Sequence, residues 1–174
     1  LEAIRADQQQ QSAINIPWQT IELEMAYNAW DIFRHVKKAY LIGGGLLLVV
    51  AFAAMFRRRG WMNLLEYSLI AVIGIAFIAH LGGLVVRSTI SCYVPWSNAY
   101  ETMVSVSFLT VTAGLIFSRN SKLTLALATL FGGVVLFVSG LNWMDPQISP
   151  LVPVLKSPWL MTHVATIMGA YGFF

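Results

Sequence analysis

This chain is poor in charge. Only 11% of its 174 residues are Asp, Glu, Lys or Arg, where globular chains carry about 25%. With 57% hydrophobic residues and a mean hydropathy of +0.69, that deficit excludes an ordinary water-soluble domain. Cysteine is nearly absent: Cys92 stands alone, which excludes a disulfide framework or a Cys-X-X-Cys site within the chain. The formal charge is +3, but the basic residues are scattered beside apolar runs. A nucleic-acid surface would gather them on one face, so that class is excluded as well. Tandem repeats are missing, and the opening glutamines are the one low-complexity stretch. The polar opening has no basic segment leading into an apolar core, so it does not read as a signal peptide. From Trp159 the closing apolar run would rise roughly 24 Å at ~1.5 Å per residue, short of a ~30 Å hydrocarbon core. Both ends therefore read as cut, and the chain as a piece of a longer membrane protein.

What the sequence does contain is a series of apolar runs of roughly the 17–25 residues that a membrane helix needs. The expected architecture is all-α: a polytopic membrane helix bundle of about five transmembrane helices, the last truncated, preceded by an amphipathic interfacial helix. That first helix begins near Thr20, read as an N-cap, with Glu22 and Glu24 in its first turns. Met25, Ala29, Ile32, Phe33 and Val36 form its apolar stripe, opposite Glu24, Asn28, Asp31, Arg34 and Lys38. Spans follow at about 40–56, 61–86, 100–117 and 123–142, with a fifth from Trp159. Two domains result: a tail and amphipathic helix over 1–38, and a membrane domain over 39–174. Basic residues are balanced between the two sides of the membrane, so the positive-inside rule does not orient the chain. The longer, tryptophan-containing loops point to the exported side.

Ionisable side chains at or within a bilayer segment are read first as sites. His163 sits on the first turns of the helix that follows the proline-broken stretch 151–158. His80 lies inside the second span, two turns before Arg87; it reads as a cofactor ligand or as a side chain close enough to the interface to find water or a carbonyl. His35 belongs to the amphipathic helix and reads as interfacial. Glu66 lies near a tight-loop end, where water is close, and carries no assigned role. The third span holds Thr102, Ser105, Ser107, Thr110 and Thr112. Such hydroxyls bond to their own backbone or a neighbouring helix, or else line a polar path. In the loop 95–101, proline and Ser-Asn favour a turn. Ser97 or Asn98 would cap the next helix, and Glu101 would sit at its positive end. Capping does not account for the flanking Trp96 and Tyr100.

The stretch Pro95-Trp-Ser-Asn-Ala-Tyr-Glu101, preceded by Gly83-Leu-Val-Val-Arg87, resembles the CcsA/ResC-type cytochrome c haem lyases of the system II maturation pathway. A second stretch, Leu151-Val-Pro-Val-Leu-Lys-Ser-Pro-Trp-Leu-Met-Thr-His163, is similar to the family's segment before a haem-ligand histidine. The resemblance runs from about the second span to Phe174. It implies a bacterial cytoplasmic-membrane protein with both long loops and the amino-terminal helix outside, preceded by an extracytoplasmic domain as in fused CcsB–CcsA proteins.

The resemblance further implies haem b as ligand and substrate, with His163 as an axial ligand to its iron. Trp96, Tyr100 and Trp159 are candidate haem-edge contacts, and His80 a further haem-binding candidate. Implied partners are an apocytochrome c with a Cys-X-X-Cys-His segment, a CcsB/ResB-type protein or fused domain, a thiol-reducing partner and the lipid bilayer, with no nucleic acid. Two departures stand out. Cys92-Tyr93-Val94 occupies the place where the family often has Gly-His, and the family's tryptophan-rich loop and second histidine would fall beyond Phe174. The readings kept beside a haem lyase are a haem or small-molecule transporter without covalent chemistry and a non-catalytic membrane scaffold.

Overall fold

The computed structural model describes residues 18–56, 60–92, 94, 96, 98–118, 121–141, 144, 146–147 and 157–173, apart from the side chains of Gln19, Thr20, Pro158 and Met161. The expectations placed on the opening tail, residues 57–59, Pro95, Ser97 and 151–156 lie outside the described residues, as does that on the Thr20 side chain. The described residues are helical throughout, apart from turns. The elements are α1 (Trp18–Trp30), α2 (Ile32–Phe56), α3 (Gly60–Ser91), α4 (Ala99–Phe117), α5 (Lys122–Ser139) and α6 (Pro158–Phe173). The described residues up to Trp30 and those from Asp31 on fall into separate compact units. The single helix expected from Thr20 through Lys38 is two helices. Asp31, at φ 41°, takes the left-handed conformation that interrupts a right-handed helix.

Among the described residues four helices are long and apolar enough to cross a membrane: the one that closes at Phe56, α3, α4 and α5. The fifth, α6, has 16 residues. Their outer faces are apolar: Ile42, Leu46, Val49 and Phe52 on α2, Leu64, Val72, Ile75 and Ile78 on α3, and Leu127, Phe131 and Val134 on α5 are all exposed. A soluble protein does not leave so large a continuous apolar surface in water. This is a multi-pass membrane bundle with its hydrocarbon face turned to lipid.

Without a hydrophobic drive between helices in lipid, close packing holds them together, and small residues set how close they come. Helix α5 lies between α2 and α4, and two consecutive glycines serve both contacts. A Cβ on Gly132 would stand 2.7 Å from Val111 Cγ2, on α4, and one on Gly133 would stand 2.9 Å from the Leu41 nitrogen, on α2. Ser107, buried on α4, donates its hydroxyl to the Gly132 carbonyl at 2.8 Å and locks the first of these crossings. Leu47, Ile73, Leu125 and Ala126 close the apolar centre among α2, α3 and α5.

Each end of α3 is marked by a buried ion pair. Near its start, Glu66, almost wholly buried, accepts from Lys122 at the first residue of α5. Near its end, Arg87 pairs with Glu101. These two positions are roughly 31 Å apart along the helix at ~1.5 Å per residue, about one hydrocarbon thickness. The expectation that Glu66 would simply be solvated is corrected: α5 supplies a counter-ion where the sequence suggested water. The lysine chain stays partly exposed, its ammonium over the Tyr67 ring, and so reaches the interface while closing the pair.

Candidate functional site

Helix α3 runs past Val86, where the second span was expected to stop, to Ser91. Arg87 does not snorkel outward from it. Its side chain is 1% exposed. Nε donates to Glu101 Oε1 at 2.9 Å, Nη1 to the Pro146 carbonyl at 2.9 Å, and Nη2 to the Gln147 carbonyl at 3.3 Å. The Tyr100 ring lies 5.1 Å from the guanidinium carbon, in cation–π range. A planar fork with several fixed donors can bind one carboxylate and two carbonyls at once, which an ammonium cannot do with the same geometry. Arg87 thereby joins the end of α3, the start of α4 and the segment after α5.

The turn between α3 and α4 follows from local chemistry. Thr89 and Ser91 return their hydroxyls to the carbonyls of Val86 and Ser88, in the last turns of α3. Cys92, at φ 60°, then takes the left-handed conformation that usually falls to glycine after a helix end. The Trp96 N–H donates to the Val94 carbonyl at 2.8 Å. Asn98 caps α4, its side-chain oxygen accepting from the Glu101 N–H at 2.8 Å. The expected cap is therefore present at Asn98, and Glu101 sits in the first turn as anticipated. What the sequence reading missed is the destination of the Glu101 carboxylate.

Behind Tyr100 a series of rings leads into the bundle. Tyr100 meets Phe33 edge-on at 6.5 Å, and Phe33 meets His80 edge-on at 5.5 Å. Phe108 lies edge-on to His80 at 5.4 Å and stacks on Phe77 at 4.8 Å. His80 is fully buried, so of the two partners expected for it interfacial water is excluded, and a main-chain carbonyl remains. The Tyr40 hydroxyl stands 3.3 Å from its Nδ1, and the Val104 main chain lies close enough to act on the ring. Its Nε2 has no hydrogen-bond partner in acceptable geometry.

Among the described residues, the cavities lined by Trp96 and by Tyr100 do not bring the sequence candidates together. Tyr100 and His80 are linked through Phe33. Trp96 lines a separate apolar groove of about 280 Å³ with Leu84, Val85, Val94, Phe108 and Leu109. His163 and Trp159 are exposed on α6. That helix rests on α4, where a Cβ at Gly172 would come 2.8 Å from Leu109 Cβ. Among the described residues no three His, Cys, Asp or Glu side chains cluster as they would around a bare metal ion, so each histidine can offer one nitrogen singly. The third-span hydroxyls take the packing role: Thr110 and Thr112 return to the carbonyls of Val106 and Phe108, and Ser107 crosses to Gly132.

The fold and this end of it define a polytopic membrane protein whose buried ion pairs stand near the ends of its helices. Residues 96–174 match the Cytochrome C assembly protein family. The chain is 37% identical over 154 residues to the protein NrfI of Wolinella succinogenes, across 88% of its own length and 17% of that protein's. It is 32% identical over 133 residues to the cytochrome c biogenesis protein CcsA of Cyanophora paradoxa, covering 72% of the chain and 40% of CcsA. To CcsA of Trieres chinensis it is 30% identical over 151 residues, or 82% of the chain and 47% of that protein. It thus spans less than half the length of each of these relatives. The chain belongs with the CcsA-type proteins of cytochrome c biogenesis.

Proposed function

We propose that the chain is part of a system II cytochrome c synthase that holds haem at the outer face of the bacterial cytoplasmic membrane. The haem is presented there to the Cys-X-X-Cys-His segment of an apocytochrome c. The observation that carries this reading is the Arg87 clamp. It binds Glu101, in the first stretch that resembles the haem lyases, and holds Pro146 and Gln147, which lead into the second. With the segment after α5 held at that end, α6 would enter the membrane from the same side, bringing His163 to the level of the α3–α4 turn.

Haem is the substrate, and the chain's own groups suit its handling. An exposed imidazole at His163 can offer nitrogen to the iron. The apolar groove beside Trp96 can take a flat hydrocarbon edge. Each thioether forms when a cysteine S–H adds across a haem vinyl C=C, sulfur to one carbon and hydrogen to the other, with no net oxidant or reductant. The contribution of the protein is to bind and orient the two reactants.

The test is made on the full-length protein. His163→Ala should strip co-purifying haem and abolish holocytochrome c formation while protein abundance stays unchanged. Added imidazole should restore part of the haem absorption by filling the vacated coordination position. Unaltered haem content and unaltered thioether formation in the variant would remove His163 from the site. A transporter would instead retain haem passage with no holocytochrome formed.

A further inference from the structure

A second cavity, with Tyr100 in its wall, shares no lining residue with the Trp96 groove. It encloses about 210 Å³, with Asp31, Arg34 and Lys37 from the start of α2, Tyr100 from α4, Ser139 from α5, and Pro146 among its walls. At roughly 30 Å³ per water, it has room for about seven waters or for one tetrahedral or planar oxyanion. Its shape depends on the clamp already described, because Arg87 Nη1 holds the Pro146 carbonyl.

The charges of the cavity do not cancel. Arg34 and Asp31 pair at 2.7 Å and neutralise one another. Lys37 lies three residues beyond Arg34, on the same helical face. Its half-buried ammonium stands over the Phe137 ring at 5.7 Å and against the end of α5 at Gly140. The α5 carbonyl end provides partial negative charge. Among the described residues no carboxylate pairs with Lys37. A half-buried ammonium facing a polar cavity, with one neutralised pair beside it, favours an anion that brings its own oxygens. Basic pockets between membrane helices near the interface select anionic headgroups for this reason.

We infer that the Arg34–Lys37–Tyr100 cavity is an oxyanion subsite. It takes either the phosphate of an anionic membrane lipid or a carboxylate of a ligand dissolved at the membrane surface. Under the proposed function the second source is a haem propionate, and that arm alone rests on it.

The experiment compares Lys37→Met with Lys38→Met in the full-length protein. Methionine keeps a stem over Phe137 while removing the charge, and Lys38 is exposed one residue along, outside the cavity. In one arm, phosphatidylglycerol and phosphatidylcholine retained through detergent purification are quantified by mass spectrometry. In the other, haem and haem dimethyl ester are titrated by absorption. Lys37→Met should weaken one probe, phosphatidylglycerol or free-acid haem, by about tenfold or more, as expected for losing one charge-assisted hydrogen bond. Lys38→Met should not, and the ester should be insensitive to both. Loss in the lipid arm identifies a headgroup, and loss in the haem arm a propionate. Arg34→Gln, at an exposed position, should weaken the same probe and keeps the test decisive if Lys37→Met fails to fold. Equal behaviour of Lys37→Met and Lys38→Met in both arms, or no effect of Arg34→Gln where it is the variant used, would overturn the subsite and leave Lys37 as a counter-charge to the end of α5. His163→Ala in the same titration separates this failure from failure of the haem assignment.

Discussion

Arg87 Nε and Glu101 Oε1 lie 2.9 Å apart, with both side chains almost entirely sealed from solvent. They come from the end of one membrane helix and the start of the next. The same guanidinium also binds two backbone carbonyls after α5. Removing one partner of a buried pair leaves an uncompensated charge and costs about 3–5 kcal/mol. Arg87→Ala should therefore lower thermal stability sharply. Arg87→Lys should fare only somewhat better, since an ammonium cannot serve the carboxylate and both carbonyls. Glu101→Gln keeps an acceptor and should be the mildest. Hydrogen exchange localises the effect: amides around 140–147 should lose protection in the Arg87 variants, while the α2–α5 crossing stays protected. Uniform loss everywhere would mean that the pair supports the whole bundle and not this segment.

Cys92 stands at φ 60° with its side chain exposed. The left-handed conformation costs an L-residue roughly 1–2 kcal/mol, and the Cys92 thiol recovers little through its 3.8 Å contact with the Thr89 carbonyl. The greater unfolded-state freedom of glycine takes back about 0.4–1 kcal/mol. Cys92→Gly should thus be neutral to mildly stabilising, and Cys92→Val clearly destabilising because a branched Cβ resists positive φ. Thermal melting of the two variants in one detergent measures the difference. A valine variant as stable as the parent would show that the turn relaxes to negative φ.

Gly133 is a point where α5 packs directly against the α2 backbone. Its added Cβ would meet the Leu41 nitrogen at 2.9 Å and Leu41 Cγ at 3.1 Å, while the same atom on Gly45 would meet nothing within 4 Å. Backbone cannot swing away as a side chain can. Gly133→Ala should lose about 1–3 kcal/mol through overpacking, and Gly45→Ala should hold or gain up to about 1 kcal/mol from helix propensity. The opposite ranking in a chemical-denaturation series would contradict the crossing.

How much of this was legible in the residues depends on the range of the interaction. The membrane helices were, because length and hydropathy are local, and four of the five expected spans appear as membrane-length helices. The Asn98 cap was, because its acceptor and donor are three residues apart. The break at Asp31 was not, since nothing in the apolar stripe across it changes period. Arg87 looked like the basic end of a span, and Glu66 like a solvated acid, because each was read alone. Their partners, Glu101 and Lys122, lie on other helices, and only the packing of the bundle brings them together. The left-handed turn at Cys92 was not legible either, since no glycine marks it in the sequence.

His80 and His163 were both named as haem candidates, and their surroundings separate them. His163 is exposed on α6, whereas His80 is enclosed by Phe33, Tyr40 and Phe108, with one nitrogen facing the Tyr40 hydroxyl and the other unpartnered. If His80 is a packing residue, its removal matters chiefly through Tyr40. His80→Leu strands a buried hydroxyl, at a cost of about 1–3 kcal/mol, and adding Tyr40→Phe should return most of it, because two apolar partners need no hydrogen bond. The double variant should then be nearly as stable as the parent and carry the same haem absorption, with His163→Ala as the comparison that loses it. A double variant that regains stability but not haem would place His80 at the iron. The cycle thus reads packing in the melting temperature and ligation in the spectrum, and no single outcome satisfies both roles.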